Sequence, residues 1–149
     1  MKIVPYVIAC VLLSACGAAP TRHEFDNTRT ITASYDAVWD AVIAYFASNN
    51  ISVKTIAKDS GVIYAEKALF TNDGAYADCG KPDMISKVLS DSEAFNVYVK
   101  RGDGKQVVSV NATFTEVRRT GITTDAPIVH MECTSTGRFE REFLQSIRI

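Results

Sequence analysis

The chain has 149 residues, 16 Lys and Arg against 17 Asp and Glu, and a formal net charge of −1. That length fits one domain. A charge so close to balance argues against nucleic acid, whose binders carry a basic stripe. A hydrophobic share of 47% is ordinary for a globular fold, and no internal repeat or low-complexity run interrupts it.

Lys2 is the only charge before Arg22, and an apolar run follows it from Ile3 to Leu13. The run is too short to cross a bilayer, which takes roughly 20 such residues. It ends in Leu13-Ser14-Ala15-Cys16. A positive start, a short apolar stretch and small residues at its end make a secretory signal over residues 1–15. Those four residues resemble the bacterial lipobox at every position. The resemblance implies cleavage before Cys16, a diacylglyceryl thioether on its sulfur, and a further acyl chain such as palmitate on the new N-terminus. Two or more chains hold a protein on a membrane durably, where one does not. Gly17, rather than aspartate, follows the cysteine. By resemblance to sorting in enteric bacteria, that points to the outer membrane, with the domain facing the periplasm.

Gly17 to Asn27 is polar, carries Pro20 and reads as a tether, so residues 16–29 link the lipid to a domain over residues 30–149. A dozen extended residues reach at most ~40 Å, which keeps the domain near the bilayer. Cys10 leaves with the signal and Cys16 is acylated, so two cysteines remain, Cys79 and Cys133. In an oxidising compartment they most simply form a disulfide, contributing roughly 4 kcal/mol by the chain-entropy argument. Two free thiols or a redox pair are the alternatives, though no Cys-x-x-Cys is present. His23 and His130 complete no zinc spacing with them, and neither a metal ion nor a cofactor is expected.

Arg29 to Ala33 reads as a first strand. Ser34 then suits a helix N-cap, with Asp36 in the first turn. From Tyr35 to Ser48 the apolar residues Tyr35, Val38, Trp39, Val42 and Phe46 recur on one face, and Asn49-Asn50 ends the helix. Ile51 to Ala57 and Val62 to Ala68 make a hairpin that turns at Lys58-Asp59-Ser60-Gly61. Thr71 to Met84 reads as a long loop, and Ile85 to Leu89 as a helical turn. Ala94 to Lys100 and Gln106 to Val117 alternate across Gly102-Asp103-Gly104 as a second hairpin. Thr120 to Pro127 is polar loop, and Ile128 to Cys133 a last strand. Ser135 or Thr136 caps a closing helix with Phe139, Phe143, Leu144 and Ile147 on one face. The order β-α-β-β-β-β-β-α predicts an α+β fold: one antiparallel sheet, with both helices packed on one face and water on the other.

Ser34 to Val42, Asn50 to Ile56 and Asp59 to Ile63 form a pattern in which an x-Val-Trp-x-Ala-Val helix precedes a hairpin turning at Asp-Ser-Gly. Over about 35 residues this is similar to the helix-grip domains of the BamC (NlpB) lipoproteins of the β-barrel assembly machinery, and to uncharacterised proteobacterial lipoproteins. The resemblance implies a helix-grip-like fold and an envelope setting, and names no partner.

Catalytic chemistry is not visible. A hydrolase needs a nucleophile beside a base, and His130 sits in a strand as a surface histidine. No Gly-x-Ser-x-Gly or phosphate-binding glycine loop occurs. The loop acids Asp73, Asp78 and Asp83 lack the alternate-position acids and closing glutamate of a calcium loop. Arg118 and Arg119, with Arg138 and Arg141, read as a solvated surface, with anionic lipid headgroups as the lesser alternative. Tyr35, Trp39 and Phe46 read first as core. A sheet curling round their helix would also leave them lining a groove for a partner peptide or an apolar ligand. The expectation is a non-enzymatic lipoprotein attached to the membrane through Cys16, serving as an envelope assembly or accessory module that binds another protein. The alternatives are a lipid or small apolar ligand module and, less favoured, a hydrolase.

Overall fold

In the computed structural model, which describes residues 18–68 and 74–149, helix α1 occupies Tyr35–Ser48. Ser34 caps it, its Oγ accepting the Ala37 N–H at 3.2 Å. Val38, Trp39, Val42 and Phe46 form its buried face, worth about 1.5–3 kcal/mol for each large side chain removed from water. Asn50 ends it in the left-handed region, φ 54°, a conformation asparagine tolerates better than most residues. Asn49 also donates its side-chain amide to the Tyr45 carbonyl at 2.8 Å.

The strands are β1 Thr28–Ile31, β2 Ser52–Ala57, β3 Val62–Ala68, β4 Ala77–Asp78, β5 Ser86–Lys100, β6 Gln106–Thr120 and β7 Ile128–Ser135, and helix α2 spans Arg138–Ser146. All pair antiparallel in the order β2-β3-β5-β6-β7-β4, with β1 beside β6. The fold is therefore α+β with one open antiparallel sheet and two helices, as the element order predicts. Both helices contribute to the core on one face, where Phe95, Val97, Val99, Val108, Val110 and Phe114 are buried with Phe46, Phe139 and Phe143. Rings meet closely there: Phe95 and Phe139 stack at 4.3 Å between centroids, and Phe46 lies 5.6 Å from Phe143. Asn96, Tyr98, Asn111 and Thr113, on the opposite face, are exposed.

β6 is the spine of the sheet. One side pairs with β5 along its length, while the other is shared by β1, opposite residues 106–109, and β7, opposite residues 114–119. The gap between β1 and β7 would strand backbone groups in the interior, which is costly. Two residues fill it. The Asn27 carbonyl accepts the Val110 N–H at 2.9 Å. Glu140, 1% exposed, accepts the Ala112 N–H at 3.3 Å with one carboxylate oxygen and the Ser135 hydroxyl at 2.9 Å with the other. Glu140→Ala should lower stability by about 1–3 kcal/mol, the range for a buried donor left unmade. Hydrogen exchange would show it as lost protection at Ala112, and unchanged protection there would refute the plug. Arg29 ties β1 to the same helix, donating to the Leu144 and Ile147 carbonyls at 2.5 and 3.3 Å. A cation at a helix C-terminus also favours the dipole.

The structure departs from the predicted elements in four places. Residues 86–89 are not a helical turn but the start of β5, because pairing with Arg118, Arg119 and Thr120 satisfies their backbone better than an isolated turn could. Part of the long loop, Ala77–Asp78, forms β4 against β7. The first strand lies slightly earlier than residues 29–33, where β6 offers it an edge. The cap residue of α2 is Gly137, at φ 74°. Ser135 and Thr136, two and one residues before that cap, instead accept the N–H groups of Gly137 and Arg138.

Candidate functional site

The residues with distinctive chemistry gather at one end of the sheet, around the start of β5 and the end of β6. The β4–β7 register pairs Ala77 with Ser135 and Asp78 with Thr134. The next step of that register sets Cys79 opposite Cys133, and their sulfurs are bonded, 1.97 Å apart with Cα atoms at 4.2 Å. The expected pair is therefore formed, and it fastens the long loop to β7.

Arg118 corrects the sequence reading. It is not solvated but 6% exposed, on the core face of β6 two residues beyond Glu116. Its Nε donates to the Glu116 carboxylate, and its Nη2 donates to the Cys79 carbonyl at 2.8 Å and the Gly80 carbonyl at 3.3 Å. The loop closed by the disulfide thus supplies the acceptors that a buried guanidinium needs. Arg138 lies at the start of α2, where it pairs with Glu142 at 2.8 Å over the Tyr76 ring. The structure does not gather the four arginines into one patch.

The segment read as a tether lies along this end from Ala18 onward. The Ala18 carbonyl accepts the Lys81 N–H at 3.1 Å. Asp78 accepts the Thr21 N–H at 2.9 Å and the Gly80 N–H at 2.8 Å, bonds that hold its carboxyl below the usual range. Two glycines make room. A Cβ on Gly80 would collide with the Ala18 carbonyl, and one on Gly137 with the Phe25 ring. Both also hold positive φ, which other residues adopt at a cost.

Beside this segment the surface is apolar. Met84 is fully exposed, Ile122 is 89% exposed, and Ile85 and Ile128 are each more than half exposed. A cavity of about 300 Å³ lies at the same end, lined by Ala18, Pro20 and Lys81 with Arg118, Val129 and Met131.

Trp39 and Phe46 lie in the core, 3% and 0% exposed. Tyr35 is half-buried at its rim, stacked on Trp39 at 5.9 Å, with Arg101 3.7 Å over its ring and its hydroxyl donating to the Lys58 carbonyl at 2.5 Å. The structure brings the three together as packing. His130 is exposed on β7, opposite Val117. Asp83 accepts the Ile85 N–H within its own turn at 3.1 Å, and Asp73 falls outside the described residues. Among those residues, no three His, Cys, Asp or Glu side chains are placed to hold a metal ion.

A second cavity, of about 370 Å³, is lined by Tyr64, Glu66, Lys67 and Glu93 with Thr113 and Thr115. Glu93 is buried across from Lys67. Burial raises its carboxyl pKa, partly opposed by the lysine. The folded state therefore holds this proton more tightly than the unfolded chain does. Its stabilising contribution is complete in acid and is lost as pH rises from the ordinary glutamate range through the raised pKa. Glu93→Gln should raise the melting temperature at neutral pH and leave it unchanged in acid. Equal effects at both pH values would refute that account.

The buried pair Glu116 and Arg118, the plug Glu140 and the apolar end were missed from sequence. A signal for the first existed, since residues 108, 110, 114, 116 and 118 share one parity and hence one face of β6. The chain matches no protein-family model, and no curated protein is detectably similar to it.

Proposed function

We propose that this chain is an envelope lipoprotein, anchored in the outer membrane by lipid on Cys16, and that it works as a non-enzymatic assembly or accessory module binding another envelope protein. The observation that carries the reading is Leu13-Ser14-Ala15-Cys16 directly after a short apolar run with Lys2 before it. The likeness of the helix and first hairpin to the BamC helix-grip domains supports an envelope setting. The bond between Cys79 and Cys133 fits an oxidising compartment. The rings of α1 pack in the core, which counts against an apolar small-molecule pocket among them and equally against a peptide groove there.

Growth with an alkynyl fatty acid, followed by intact-mass measurement, tests the anchor. The mature chain should begin at acylated Cys16, and Cys16→Ser should carry no label and leave the membrane fraction. A membrane-bound chain without acyl mass would overturn the reading. Crosslinking in cells tests the module. A recurrent envelope protein among the products supports it, and a chain that never crosslinks counts against it.

A further inference from the structure

The end of the sheet around Met84 and Ile122 is exposed, apolar and close to the point where the described chain begins. Two loops build it. The Gly121 N–H donates to the Ile85 carbonyl at 3.2 Å, which sets residues 84–85 beside residues 121–122. Met84 and Ile122 project fully or nearly so, and Ile85 and Ile128 are 56% and 55% exposed. Large apolar side chains grouped at one tip mark a contact surface rather than scattered exposure.

Basic residues flank the tip. Lys81 and Lys87 are exposed, and Arg119 lies beside Lys87 and Ile128 in the strand register. The nearby acids are Asp83 and Asp125, and the Asp83 carboxylate is turned onto its own loop. Apolar side chains at the apex with lysine and arginine behind them suit the layering of a bilayer surface, acyl chains below anionic headgroups.

The chain's course selects the same occupant. Ala18 is fixed to Lys81, three residues before Met84. Cys16 precedes Ala18 by two residues, about 7 Å of chain. A lipid on Cys16 would therefore enter the bilayer next to this tip, with no slack for the domain to hang elsewhere.

We infer that the Met84–Ile85 and Ile122 loops are a membrane-contact surface, which seats the domain tip-down on a phospholipid bilayer beside its own anchor. The inference rests on acylation of Cys16. Seated this way, the sheet stands away from the membrane, and the exposed side chains Val53 and Ile56 of edge strand β2 face the aqueous space.

The test uses full-length protein processed in cells, carrying Ile122→Trp, in vesicles of phosphatidylethanolamine and phosphatidylglycerol. Some lipids are brominated on their acyl chains near the headgroup. Trp39, the single native tryptophan, is buried and gives a constant background. Val62→Trp is the control, opposite Tyr98 and roughly 40 Å along β5 from Ser86. The tryptophan at 122 should shift to shorter wavelength and lose about half its emission, as expected for a side chain 5–10 Å into the interface. The control at 62 should do neither. Adding Met84→Asp and Ile85→Asp should restore the emission while the protein stays on the vesicles. An acylated, vesicle-bound protein with an unquenched tryptophan at 122 overturns the membrane-contact surface alone, as when a protein partner covers the tip. A chain without acyl mass overturns the lipoprotein reading, and this inference with it.

Discussion

Replacing Cys79 and Cys133 by serine is expected to lower folding stability by roughly 4 kcal/mol. The bond closes a loop across a sequence separation of 54, and opening it releases that loop in the unfolded chain. The native side adds a local reason. β4 is two residues long, and so short a pairing contributes little against the entropy of ordering its loop. Without the bond, Cys79 and Gly80 lose their fixed place as acceptors for Arg118, and Lys81 its fixed place under Ala18. Loss of order should therefore begin in residues 76–81 and 18–21. Chemical denaturation with and without reductant reads the total, and hydrogen exchange reads the order of loss. A midpoint indifferent to reductant, with the bond shown to be broken, would overturn the expectation.

Arg118→Ala is expected to cost about 3–5 kcal/mol, the range for breaking one side of a buried ion pair. Both side chains of the pair are 7% exposed, so Glu116 would be left charged, buried and without its guanidinium. Arg118→Lys keeps the charge but gives up the planar fork, which here reaches three acceptors on two sides. It should fall between alanine and the native residue. Glu116→Leu with Arg118→Met should regain much of the loss, since apolar pairs of similar volume often replace buried ion pairs well. The Arg118 and cysteine changes should not add, because Arg118 grips the carbonyl of Cys79 itself. Urea melts of the single and combined variants check all of this. An Arg118→Ala variant within about 1 kcal/mol of the native chain would refute the account, since that is the worth of a solvated surface pair.

Local elements were largely legible in the sequence. Helix α1 runs from Tyr35 to Ser48 as its spacing predicts, with Ser34 as its cap. The hairpins of β2 with β3 and β5 with β6 follow their alternation and turn residues. These features are written in short windows: a 3.6-residue or two-residue period, a hydroxyl ahead of a helix, a glycine in a turn. The Cys79–Cys133 pair was legible for a different reason. On the expectation that Cys10 leaves with a signal and Cys16 is acylated, Cys79 and Cys133 are the two cysteines left to pair.

The candidate site was less legible, because its chemistry comes from contacts between distant segments. Arg118 read as solvated because charge alone suggests the surface. It is buried because the Cys79 and Gly80 carbonyls arrive from a loop nearly forty residues away. Residues 85–89 lacked a strand's local signal, yet Ser86 to Leu89 extend because β6 offers an edge.

Composition, period and one lipobox-like tetrapeptide are properties of neighbouring residues. The sequence alone therefore determined the α+β class, both helices and the two hairpins, and made Cys79 with Cys133 the simplest pairing. The tertiary structure alone decided that β1 and β7 share one side of β6, that Glu140 fills the gap between them, and that residues from Ala18 onward pack on the domain beside an exposed apolar tip. Those outcomes depend on which backbone groups lack partners once the sheet has closed, and no short stretch of chain carries that information.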